Sequence, residues 1–158
     1  MSKSLKILLF LPLFCGALFG QSTDSKVSLI GDNEEEYELL IQNCSTMLLD
    51  ISNNSMDKAY GLWTNMLGKM EVEAEKDGLD LKGVKIWINS FWAADGTINK
   101  IVYYPKPNSK NMDFDQISIF FEKFATTYTL PITSDNCFSH YGSASFPIFT
   151  KFKTTYEK

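Results

Sequence analysis

The chain has no arginine; all fifteen of its basic residues are lysine. Arginine's planar guanidinium grips phosphates and guanine edges in two-pronged fashion, so its absence weighs against nucleic-acid and phosphate recognition. Histidine is nearly as scarce, with His140 alone in 158 residues. A single histidine leaves little scope for metal or triad chemistry, and the chain has no HExxH helix, no GxSxG elbow and no glycine-rich phosphate loop. The apolar run near the N-terminus, Ile7 to Phe14, is too short for a transmembrane helix. Cysteine numbers three, at Cys15, Cys44 and Cys137. What is plentiful is apolar and aromatic surface, 44% and 14% of residues. That is enough to build a core, and the length fits one domain.

The N-terminus reads as an export signal over residues 1–20. Lys3 and Lys6 supply the charge, Ile7 to Phe14 the apolar run, and Ala17-Leu18-Phe19-Gly20 a small-residue exit. Lipoprotein processing at Cys15 is the competing reading, but Phe14 stands where such sites want a small side chain. Cleavage after Gly20 leaves thirteen lysines against nineteen acids, a net charge near −6. An acidic exported chain, periplasmic or extracellular, is a poor partner for nucleic acid or anionic lipid, and no membrane span remains after cleavage. Cys44 and Cys137 then stay behind in an oxidising compartment. They either pair, closing a loop of about 93 residues worth roughly 4–5 kcal/mol in the chain-entropy model, or sit as two separate buried thiols.

Residues 21–33 form a polar leader, and 34–158 a single α+β domain. Tyr37, Leu40, Ile41, Cys44 and Leu48 share one helical face after an acidic first turn of Glu34, Glu35 and Glu36. That acidic run is either a solvated helix start or a cation site. A second helix begins at the cap Ser55, carries Met56, Ala59, Tyr60, Trp63, Met66, Leu67 and Met70 as its stripe, and stops at Asp77-Gly78. Val84 to Tyr104 reads as a β-hairpin turning at Asp95-Gly96, with Val84, Ile86, Ile88 and Trp92 of one parity and Lys85, Trp87, Asn89 and Phe91 of the other. A third helix starts with Asp113 and Gln116 in capping-box positions and shows an aromatic face of Phe120, Phe121, Phe124 and Tyr128. Thr133 to Ser143 reads as loop, and Ser145 to Thr154 as the last strand. The expected architecture is a small three-stranded antiparallel sheet, hairpin plus C-terminal strand, packed by the third helix, with two helices before it.

Gly83-Val84-Lys85-Ile86-Trp87-Ile88, Asp95-Gly96-Thr97-Ile98, Leu130-Pro131 and Phe146-Pro147-Ile148 follow one another in an order that resembles the C-terminal domain of TonB-type energy transducers. The resemblance spans roughly residues 55–154. It departs from that family at the N-terminus, where a short cleavable signal replaces the membrane anchor and no proline-rich spacer follows. What the resemblance implies is partner capture by adding a strand to a sheet edge. Phe146, Ile148, Phe149, Thr150 and Phe152 are the candidate edge, unless Lys151 and Lys153 shield it from pairing. Trp87 and Phe91 form a candidate aromatic face. The expected function is that of a non-enzymatic protein- or peptide-binding module of the cell envelope, without metal or cofactor. The alternatives are an apolar-ligand carrier, with a cavity among Trp87, Trp92, Phe120 and Phe124, and an enzyme built on Cys137 and His140.

Overall fold

The structure, a computed structural model, describes residues 25–148. The export signal expected over residues 1–20 and the expected edge residues Phe149, Thr150 and Phe152 lie outside the described residues. The chain runs β1 (Val27–Leu29), α1 (Glu34–Asn43), β2 (Thr46–Met47), α2 (Leu48–Ile51), α3 (Met56–Lys76), β3 (Lys85–Trp92), β4 (Ile98–Pro105), α4 (Phe114–Thr127) and β5 (Phe138–Ser145). The fold is α+β.

The sheet corrects the three-stranded antiparallel expectation. It has five strands in the order β1-β4-β3-β5-β2, antiparallel at its centre and parallel at both margins. Val27–Leu29 of the expected loose leader pair parallel with Ile101–Tyr103. The last strand is Phe138–Ser145, where a loop was expected, and the segment placed in it begins only as it ends. The first helix stops at Asn43 instead of reaching Leu48, and Thr46–Met47 pair with Phe138–Ser139.

Local chemistry explains the elements that match. Ser55 accepts from the Lys58 amide and Asp113 from the Gln116 amide, each satisfying an orphan donor at a helix start. The hairpin turn needs Gly96, whose φ of +85° is the glycine-favoured region. A side chain there would also collide with the backbone carbonyls of Leu130 and Ile132, because the chain leaving α4 docks on the turn.

The two parities of β3 face two different cores. Ile86, Ile88 and Trp92 join Met66, Met70, Phe121 and Phe124 in the large core beneath α3 and α4. Phe91 points the other way, with Val102 and Cys44, into a small core beneath α1. Lys100 lies on that second face too. Its ammonium, nearly out of solvent, bonds Glu36 and the Ser25 carbonyl, each at 2.8 Å, so the charge is not left unpaired.

Candidate functional site

Sheet edges are where backbone groups can remain free, and the two margins of this sheet are finished differently. At the β1 margin the Lys26 carbonyl accepts from the Ile101 amide, and the Ile30 amide donates to the Tyr103 carbonyl. In a parallel ladder that alternation turns Val27 and Leu29 outward. Both are closed locally. The Ser25 hydroxyl lies 3.2 Å from the Val27 amide and 2.8 Å from its carbonyl. The Asp32 carboxylate accepts from the Leu29 amide at 2.9 Å, and the Asp32 amide donates to the Leu29 carbonyl at 3.2 Å.

The β5 margin has no such finish. The Phe146 amide donates to the Val84 carbonyl at 2.9 Å, which makes Val84 and Phe146 a hydrogen-bonded pair. Bonded and non-bonded pairs alternate along an antiparallel ladder, so Ala144, Gly142 and His140 are the β5 residues bonded to β3. The amides and carbonyls of Tyr141, Ser143 and Ser145 therefore face away from β3. On that side β2 reaches only Phe138 and Ser139. Tyr141, Ser143 and Ser145 are solvent-exposed, and their backbone groups have no partner among the described residues.

An aromatic platform borders this edge on the face α1 leaves uncovered. Trp87 stacks on Tyr141, with ring centroids 5.7 Å apart and planes within 13°. The Lys106 ammonium sits 4.3 Å from the Trp87 ring centre, a cation–π contact. Tyr104, half exposed, lies across from Trp87 on β4. The depression between this platform and Tyr37 holds only about 10 Å³, the space of one water, so the platform is a surface and not a ligand pocket.

The opposite face of β5 is closed. The His140 imidazole stands 4.6 Å from the Trp63 ring, and its burial lowers its pKa from the ordinary value. Gly142 lies beside it, where a Cβ would come within 2.9 Å of the Trp63 indole. A polar groove near the N-terminal end of α1 is lined by Ser25, Lys26, Glu36 and Lys100. Its cations are already engaged, Lys100 as described and Lys26 with the Ile98 carbonyl at 2.6 Å.

Cys44 and Cys137 are joined as a disulfide with Cα atoms 4.9 Å apart. Cys137 therefore carries no thiolate beside His140. Glu36 of the acidic first turn is committed to Lys100, and no group of three potential metal-ligating side chains gathers among the described residues. Trp87 and Phe91 share a sheet face, but Phe91 is sealed under α1 and only Trp87 borders solvent. Phe146 is buried, its amide and carbonyl bonded to Val84 and Gly83, so it offers no free edge. Ile148 packs on the large core, and its amide donates to Glu71. Trp92, Phe120 and Phe124 fill the large core while Trp87 stands on the other side of the sheet, so the four do not enclose one space.

The residues that sequence reasoning missed are Tyr141, Ser143 and Ser145. The one local cue was a run of eight residues, Phe138–Ser145, with no lysine, acid or proline, lying just before Pro147. No family model matches the chain, and no curated protein or solved structure matches it either.

Proposed function

We propose that this protein is an exported, non-enzymatic binding module of the cell envelope, periplasmic or extracellular, that captures a partner by strand addition along β5. The observation that carries the reading is the asymmetry of the sheet. Nearby side chains and the Asp32 amide close every outward group of β1, whereas three consecutive outward positions of β5 are left bare among the described residues. Main-chain bonds from such an edge supply affinity, and the stacked Trp87–Tyr141 pair supplies amphipathic contact area beside it. Strand capture is also what the resemblance to TonB-type C-terminal domains implies, with the edge now on β5 and not on the residues after it.

The test is a displayed library of extended peptides selected on the purified protein, followed by amide hydrogen exchange. Selected peptides are expected to slow exchange at Tyr141, Ser143 and Ser145 while leaving Val27 and Leu29 unchanged. Binders that protect only other residues, or a library that yields none, would remove the reading.

A further inference from the structure

The open edge has a geometry that singles out one occupant. We propose that the strand added to β5 is β5 of a second copy of this chain, running antiparallel about a twofold axis through Ser143. This inference rests on the reading of β5 as a strand-capturing edge and names what the edge takes.

A strand can pair with its own copy about a twofold axis only when residues carrying outward groups come opposite one another. On β5 those residues are Tyr141, Ser143 and Ser145. The window is bounded on one side by β2, which occupies Phe138 and Ser139, and on the other by Pro147, which has no N–H to donate. An axis through Ser143 sets Ser143 opposite its own copy and Tyr141 opposite Ser145 of the second copy. All three outward positions are then used on both strands, giving roughly six main-chain bonds. Moving the axis to Gly142 sends Ser145 against Ser139, whose outer side β2 holds. Moving it to Ala144 sends Tyr141 against Pro147. The centre of the open window and the only register that fills it coincide.

The side chains suit the same register. Tyr141, the one bulky exposed residue of the window, meets Ser145; Gly142 meets Ala144; Ser143 meets itself. No two large groups collide at the seam. No like charges meet either, because Phe138–Ser145 contains no lysine, aspartate or glutamate. Natural edges are usually guarded by such charges, by proline or by bulges, and the stretch from Tyr141 to Ser145 has none of them. A strand from an unrelated protein would make the same backbone bonds. Yet glycine, alanine and serine form no pockets to select its sequence, whereas a second copy needs none.

Sedimentation equilibrium of the purified chain, in a Cys15→Ser background, from micromolar to hundreds of micromolar, reads the association directly. The expected result is a doubling of mass with concentration. Ser143→Pro is expected to hold the monomer mass with an unchanged circular dichroism spectrum, since it deletes an outward N–H and no bond to β3. Should that variant unfold, two cysteine substitutions decide. Ser143→Cys places two thiols across the axis, about 5.5 Å apart at Cα, and should give a covalent dimer under mild oxidation. Ser145→Cys, whose opposite residue is Tyr141, should lag at least tenfold. A monomer at all concentrations, or cross-linking no faster at Ser143 than at Ser145, overturns the proposal. In that case, peptides that still protect Tyr141, Ser143 and Ser145 would leave the capture reading standing without the second copy. Loss of both signals would remove both ideas.

Discussion

Gly142 lacks a side chain because of a residue on another element. The Trp63 indole of α3 lies where its Cβ would go, 2.9 Å away, and close packing of that kind leaves the ring nowhere to retreat. Gly142→Ala is therefore expected to destabilise the fold by about 1–3 kcal/mol, read as a lower urea midpoint with an unchanged slope. The neighbouring His140 makes a second prediction. Burial against Trp63 depresses its folded-state pKa below the ordinary 6.5, so the folded protein binds a proton less readily than the unfolded chain. The sign follows from linkage: the contribution is fully present above pH ~6.5 and is lost as pH falls below it toward the depressed value. Unfolding free energy measured between pH ~7 and ~5 should fall with acidity by at most ~1.4 kcal/mol per unit from this group. His140→Gln should flatten the part of the curve above pH ~5.5, before carboxylates begin to titrate. An unchanged slope in that variant would show that His140 does not titrate between the two states.

At the scale of elements, what could be read from the sequence is what carries its own signal. α3 and α4 announce themselves by stripe and cap: Trp63, Met66 and Met70 in one, Phe120 and Phe124 in the other, behind Ser55 and Asp113. The hairpin is legible because β-branched and aromatic residues alternate on both sides of a turn only glycine makes easily. β5 was illegible because its strand state is imposed from outside. Phe138–Ser145 holds three serines and a glycine, poor strand formers, and becomes a strand by pairing with all eight residues of β3. Ser145 to Thr154, richer in phenylalanine, looked the better strand for the same local reason. β1 and β2 are shorter than any period can reveal, and their pairing is parallel, with the long crossovers that local patterning does not report. The aromatic face was half legible. Parity places Trp87 and Phe91 together, but only the position of α1 decides that one is sealed and the other meets solvent.

At the scale of the whole molecule, the sheet separates two cores of unequal strength. The large one holds most of the buried side chains, from Val27 to Phe146, and is closed by α3 and α4. The small one consists of Cys44, Phe91 and Val102 with Tyr37, Leu40 and Cys137 against them. No residue of α1 is itself fully buried. Its hold on the sheet therefore rests on a few partly covered contacts, the Lys100–Glu36 pair and the disulfide at its C-terminal end. The bond spans 93 residues, and removing a crosslink across so long a loop costs up to about 4–5 kcal/mol in the chain-entropy model. The loss should not fall evenly. Replacing both Cys44 and Cys137 with alanine frees the lid of the small core, while α3, α4 and the face of β3 turned to the large core keep their contacts. Native-state hydrogen exchange of that double variant is expected to show α1 opening at free energies several kcal/mol below the global value, with α3 and β3 still exchanging only through global unfolding. Exposed Phe91 and Val102 should then make the variant bind an apolar dye that the parent ignores. Loss of protection in α1 and α3 at one common free energy would instead mean that the two cores fold as a single unit, with the crosslink acting on the unfolded chain alone.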